Sequence, residues 1–288
     1  MSELARLNGL FSEFSDASLV AVTKSEEAFA NEVFDVTSSD DQRYFLKILK
    51  EQSPKAIAVE AQMQQRLINA GLGTPEYLEI RSGNYVGEHG GEKFVLSKYI
   101  PGESPKTVTP KLVASLGATL ARIHRCFEGV TIPDNDMQWL NLERAERDIA
   151  SYSGPAKSTL SNLISFGRII FDHDLPKAIT HGDLWLSNVF TADDEVTTVF
   201  DLETAERTVR IIDLARTYTS LRFNSDYSSG EIVDMLTAGY NSEAEQALSE
   251  EEMQSMNRAI AYTCGVCATW HAIHGTRYKD PYIQLGSE

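Results

Sequence analysis

The chain has 288 residues, with 26 Lys and Arg against 42 Asp and Glu and a formal net charge of −16. A nucleic-acid binder needs a basic groove to displace counterions, and an anionic bilayer surface repels so acidic a chain, so neither is its partner. Hydrophobic residues at 42% and charged residues at 24% are those of an ordinary folded protein, at a length where one core tends to become two.

In chain order, residues 1–16 (MSELARLNGLFSEFSD) place acids where a secretory signal needs a basic end and an apolar run, which assigns the chain to the cytoplasm. Residues 29–36 and 43–49 are β-prone runs, and the polar SSDDQ at 38–42 reads as their hairpin turn. Ser53 and Pro54 suit the N-cap and first position of a helix that Gly71 closes. Residues 79–86 and 93–100 continue the strand pattern through EHGGE, and Pro101-Gly102 marks a domain boundary. Thr109 and Pro110 open a helix in which Leu112, Leu116, Leu120 and Ile123 recur at helical spacing. Residues 140–175 read as helix with a loop near 153–155, and 178–202 as a β-rich island turning at ADDE. Residues 231–276 return to helix, with Ser249 and Glu252 spaced as a capping box. No run reaches 18 apolar residues, so nothing spans a bilayer. Three cysteines make no disulfide framework.

The chemistry concentrates in Ile179-Thr-His-Gly-Asp-Leu-Trp-Leu-Ser-Asn188, followed by Val199-Phe-Asp201. Phosphoryl transfer needs one carboxylate to orient the attacking hydroxyl, and an amide with a second carboxylate to hold Mg²⁺ against the phosphates. Asp183, Asn188 and Asp201 supply these in the order and spacing of a protein-kinase catalytic loop and its metal-binding Asp. A cation on the α/β-phosphates is also required, held by an acid from a nearby helix. Lys47 alternates with Leu46 and Ile48 and so faces away from the core they fill. Glu60 lies two turns into the Pro54 helix, at the edge of the stripe Val59, Met63 and Leu67.

These residues resemble the aminoglycoside phosphotransferase and choline-kinase-like superfamily over nearly the whole chain. The likeness rests on the 181–188 motif, Asp201-Leu-Glu203, Lys47 with Glu60, and Leu116-Gly-Ala-Thr-Leu-Ala-Arg-Ile-His124. Phe94-Val-Leu-Ser-Lys-Tyr-Ile-Pro-Gly102 looks like that family's interlobe hinge. The resemblance implies an α+β, bilobal protein-kinase-like fold: a small N-terminal antiparallel-sheet lobe with one helix, then a larger, mainly helical lobe. Residues 1–100 would be the nucleotide-binding lobe, with the hinge at 96–102, and 101–288 the catalytic and substrate lobe. It further implies ATP and Mg²⁺, adenine on the main chain at Ser97 and Tyr99, and a small-molecule hydroxyl acceptor, in a monomer or homodimer. The Leu248–Glu252 helix start and the spacing after Asp201 are most similar to the homoserine-kinase and sugar-kinase branches. Residues 24–31, where a nucleotide-covering loop should lie, contain no glycine, and the Gly-Pro common after the metal-binding Asp is absent.

Other features have plainer readings. His181 supports the loop rather than moving protons, and Asp213 is a scaffold carboxylate bound to loop backbone. Cys264 and Cys267 have redox-motif spacing but sit in an apolar helix as two buried thiols. His271 and His274 line core or pocket rather than a metal, and Glu203 either assists Asp201 or ties down its loop. The acceptor pocket is expected near 139–148, 218–222 and Trp270. An aminoglycoside phosphotransferase, a nucleotide-binding pseudokinase regulator and a hydrolase built on His181, Asp183 and Asp201 are the competing readings. Residues 181–288 hold 18 acids and 7 bases, which leans toward a cationic or zwitterionic acceptor.

Overall fold

The computed structural model describes residues 2–25, 31–50, 52–133 and 138–288. The chain divides into two compact units, Met1–Gly102 and Glu103–Glu288.

The first unit opens with α1 (Glu3–Phe11), whose N-cap Ser2 accepts from the Ala5 amide. Then follow β1 (Leu19–Lys24), β2 (Glu32–Ser38), β3 (Arg43–Leu49), α2 (Pro54–Asn69), β4 (Gly87–His89) and β5 (Glu92–Lys98). The strands form an antiparallel sheet in the order β1-β2-β3-β5-β4. Register sets Phe34 against Leu46 and Leu46 against Leu96, while Ile48 faces Phe94. These side chains share one face, and α1 covers it with Leu7, Leu10 and Phe11. Period-2 alternation sends Leu49 and Val95 to the other face, where they pack with Ile57 of α2. Lys47, opposite Val95 in register, belongs to that same face.

Three sequence expectations change here. Among the described residues, α1 gives this unit two helices instead of one. It was hidden because Leu7, Leu10 and Phe11, at helical spacing, lie in a segment read only as a failed export signal. Residues 79–86 form no strand: the Ile80 amide donates to the Asn84 carbonyl 2.8 Å away, and Gly83 at φ +79° makes the turn between them. The first strand expected at 29–36 is β2, and β1 precedes it. Residues 26–30 of the glycine-free segment 24–31 lie outside the described residues.

The second unit contains α3 (Pro110–Cys126), α4 (Leu142–Ser151), α5 (Lys157–Asp172), β6 (Lys177–Thr180), β7 (Val189–Ala192) and β8 (Glu195–Val199). These are followed by β9 (Glu206–Val209), α6 (Arg210–Phe223), α7 (Ser229–Glu243), α8 (Glu250–Ile273) and α9 (Lys279–Leu285). Thr109 caps α3 as its sequence predicts. α3 and α7 meet through glycines: a Cβ on Gly117 would lie 2.0 Å from the Leu236 carbonyl oxygen, and one on Gly239 2.0 Å from that of Ala114. β6 pairs with β9 and β7 with β8, making two short antiparallel ribbons. β9 and the early start of α6 were not evident from sequence, because Glu206-Arg-Thr-Val209 is half charged.

The capping box at Ser249 and Glu252 forms, but Glu252 does not face water. It is fully buried and grips Arg210 through both oxygens, at 2.6 and 2.8 Å. This is the bidentate geometry a guanidinium and a carboxylate favour.

Candidate active-site loop

The loop after β6 is built on Asp213, in the first turn of α6. Its Oδ2 accepts from the His181 amide at 2.8 Å and its Oδ1 from the Gly182 amide at 2.9 Å. His124 Nε2 lies 2.9 Å from the same carboxylate. A carboxylate only accepts, so that nitrogen carries the proton and Nδ1 faces the Tyr240 hydroxyl, 2.9 Å away. Burial alone would raise the Asp213 carboxyl, but the His124 bond and charge, with the Gly182 amide, leave it below its usual range. Asp213 is therefore the expected scaffold carboxylate, and His124 of the α3 motif is its partner. Gly182 is at φ +81°, and a Cβ there would stand 2.7 Å from the Thr204 carbonyl oxygen, so only glycine fits.

His181 is wholly buried, and burial pushes its imidazole below its ordinary value. Nε2 donates to the Phe200 carbonyl at 2.8 Å, while Nδ1 accepts from the Asp183 amide at 3.3 Å. A neutral ring with both nitrogens engaged ties the two loops together and is a strut, not an acid–base group.

Asp183 follows. The Asn188 amide group donates to its carbonyl at 2.8 Å and reaches toward Oδ2 at 3.4 Å. Asn188 ends a 3-10 turn, Leu186–Asn188. The Asn188 carbonyl accepts from the Phe200 amide at 2.9 Å, across the end of the β7–β8 ribbon. Phe200 is thus fixed through both its amide and its carbonyl, and it delivers Asp201 beside that ribbon end. Asp201 has φ +79°, a left-handed conformation uncommon for a residue with a Cβ and costing on the order of 1–3 kcal/mol. Glu203, two residues on, is buried.

Sequence reasoning missed Arg216. It lies on α6 with its side chain only 7% exposed, and Nη2 sits 2.6 Å from Asp183 Oδ1. Nη1 donates to Thr219 Oγ1 at 2.9 Å and to the Tyr282 hydroxyl at 3.2 Å. The guanidinium lies 4.4 Å from the Trp185 ring centre and 5.0 Å from that of Trp139. Burial opposes its charge, but Tyr282 and Asp183 hold its pKa above the ordinary value. The available signal was an arginine inside the otherwise uncharged stretch Leu214–Leu221. From Tyr282 the contacts run on to His271, stacked at 5.4 Å, and to Trp270. Trp139 and the Trp270 region, both expected near the acceptor, thus join Asp183 through Arg216. Burial and the nearby Arg216 charge lower His271 to about 4.

Trp139 is held by its neighbour Leu140. The Leu140 amide donates to Glu206 Oε1 at 3.1 Å, and its carbonyl accepts from the Tyr262 hydroxyl at 2.8 Å. Cys264 and Cys267 are buried thiols, and burial pushes Cys267 up to about 11.

In the first unit, Lys47 occupies the central strand β3 between Val33 and Val95. Glu60 is buried on α2, with its carboxylate accepting from Gln52 Nε2 and, at 2.8 Å, from the Tyr77 hydroxyl. Ser97 is buried in β5, opposite Phe45 on one side and Tyr77 on the other. Tyr99 follows β5, its amide donating to the Arg43 carbonyl at 3.3 Å and its ring 3.6 Å beneath the Arg43 guanidinium.

A family model described as "Phosphotransferase enzyme family" matches residues 22–250. The chain is 23% identical over 192 residues to a homoserine kinase of Methylobacillus flagellatus, covering 66% of this chain and 60% of that protein. It is 24% identical over 248 residues to a homoserine kinase of Zymomonas mobilis subsp. mobilis, covering 81% and 75%. The match to the first relative thus spans less than two thirds of that relative's length. The solved structure of amicoumacin kinase hAmiN in complex with AMP-PNP, Ca2+ and Ami has a TM-score of 0.78 at 17% identity. It covers 99% of this chain and 92% of that one, and the shared fold is the kinase-like α+β fold.

Proposed function

Because the chain belongs to the phosphotransferase enzyme family, we propose that this small-molecule kinase uses Mg-ATP to phosphorylate a hydroxyl of a small metabolite. One observation carries the reading. Residues 181–188 and 200–201 are knitted by the Asn188 side-chain amide, the His181 ring and the Phe200 main chain so that Asp183, Asn188 and a left-handed Asp201 are held in fixed conformations. Strain of this kind is kept where a site requires it.

In this reading Asp183 orients the acceptor hydroxyl and accepts its proton as the acceptor oxygen bonds to the γ-phosphorus and the bond from that phosphorus to the bridging oxygen breaks, releasing ADP. Asn188 and Asp201 would hold magnesium, which when bound neutralises charge on the phosphate oxygens. The donor set suits a hard cation: the Asn188 NH₂ is turned to Asp183, which points its amide oxygen the other way. From the first unit Lys47 would bind the α/β-phosphates, with Glu60 fixing its position. Adenine would meet the main chain at Ser97 and Tyr99. Since the Tyr99 amide already donates to Arg43, its carbonyl is the group assigned to that contact. Positioning and charge neutralisation carry most of the catalysis, because the phosphoryl transition state is loose.

That these relatives are homoserine kinases supports homoserine, or another amino alcohol, as the first acceptor, with a sugar second. ADP release measured across a panel of amino alcohols and sugars tests the substrate. Asp183→Asn should lower turnover by roughly 10²–10⁴-fold while nucleotide affinity is kept. Turnover retained in that variant would remove Asp183 from the chemistry.

A further inference from the structure

We propose that Arg216 is a positioning residue for Asp183: it pins one carboxylate oxygen, Oδ1, so that Oδ2 alone is presented to the acceptor hydroxyl. This rests on the reading of Asp183 as the hydroxyl-orienting group and assigns a further residue to that site.

A carboxylate on a loop can rotate about its side-chain torsions and offer either oxygen, and each orientation sampled reduces the fraction poised for attack. Asp183 is restrained on two sides. Arg216 Nη2 is 2.6 Å from Oδ1, as an ion pair rather than an aligned hydrogen bond, and Asn188 Nδ2 is 3.4 Å from Oδ2. The guanidinium is itself immobilised. Thr219 and Tyr282 accept from Nη1, and the Trp139 and Trp185 rings flank it within 5.0 Å. A planar, permanently charged fork suits this task, which lysine meets only as a point charge. The pair also answers a cost: a buried guanidinium without a counter-charge is strongly destabilising, so Arg216 and Asp183 hold each other in place. Asp183 keeps 26% of its side chain exposed, which leaves its second oxygen reachable.

The test uses Arg216→Met, Arg216→Lys, Asp183→Asn and the double variant Arg216→Met/Asp183→Asn in the full chain. Three readouts are taken: ADP release with MgATP and the best acceptor of the panel, the same with water as acceptor, and affinity for a fluorescent ADP analogue. Arg216→Met should lose roughly 10²-fold in kcat with nucleotide affinity within about threefold. Arg216→Lys, or added guanidinium ion, should restore part of the loss. Removing Arg216 in the Asp183→Asn background should cost almost nothing further, since its effect runs through Asp183. A folded Arg216→Met that turns over within about threefold of the parent overturns the proposal. So does an equal loss in the two backgrounds, or a loss that neither lysine nor guanidinium relieves. If Arg216→Met does not fold, the Arg216→Lys comparison across both backgrounds decides in the same way. Should Asp183→Asn alone keep full turnover, the role given to Asp183 has failed, and that result is separate from the Arg216 outcome.

Discussion

Glu206 provides a prediction whose sign runs against intuition. Its carboxyl is 3% exposed, and burial raises it from 4.5 to about 7 despite the Leu140 amide it accepts from. In the unfolded chain the group ionises near 4.5. Between that value and 7 the folded state therefore holds a proton the unfolded state has lost, and stability falls as pH rises through the window. The gap corresponds to a ceiling of about 3 kcal/mol, complete above pH 7. Glu206→Gln removes the ionisation while its amide oxygen can still accept from Leu140. The variant should match the parent within about 1 kcal/mol at pH 5 and exceed it by on the order of 2–3 kcal/mol at pH 8. Urea unfolding of both proteins at pH 5, 6, 7 and 8 reads the difference directly, and Tm should rise by about 2–4 °C per kcal/mol. A difference constant with pH, or a parent more stable at pH 8, would mean that Glu206 does not hold its proton in the folded chain.

Two further substitutions test the frame around the loop. Glu252→Ala strands the Arg210 guanidinium, whose side chain is 10% exposed, and removes half of the α8 capping box. It should cost about 3–5 kcal/mol by chemical denaturation, whereas Glu251→Ala, one residue earlier and exposed, should stay within about 0.5 kcal/mol. Gly117→Ala would set a methyl 2.0 Å from the Leu236 carbonyl and force α3 from α7, at about 1–3 kcal/mol. Because α3 carries His124, turnover should fall with it. An unchanged melting curve would mean that the two helices part freely.

What sequence made legible follows from how local each signal is. The strand β3, the capped starts of α2, α3 and α8, and the 181–188 motif are written in consecutive residues, so they could be read directly. Lys47 on the face opposite Leu46 follows from alternation alone. The α1 helix failed because its apolar residues make sense only against Phe34, Leu46 and Phe94, which arrive later in the chain. Arg216 failed for the same reason: its partners Trp139, Asp183 and Tyr282 are far apart in sequence and share no spacing rule. His124 closes the Leu116–His124 motif, yet its work, protonated at Nε2 against Asp213, appears only when α3 and α6 meet.

The acid excess of residues 181–288 invites an inference about the acceptor that individual side chains do not bear out. Glu252 is matched by Arg210, and Asp213 is bound by His124 and two backbone amides. Glu206 is half neutral at about pH 7. Asp183, the acid given to the acceptor hydroxyl, already carries a guanidinium 2.6 Å away. Net charge sums over groups whose fields are cancelled where they stand, and only those left open at the site act on a substrate. At Asp183 the local balance is near neutral and flanked by indole rings. A polycationic acceptor therefore gains little there, because its ammonium groups would meet Arg216 in place of an unpaired carboxylate. The acceptor panel should accordingly show turnover with a zwitterionic amino alcohol or a neutral sugar exceeding that with an aminoglycoside. An aminoglycoside with the higher kcat/KM would show that acids outside this cluster govern the approach.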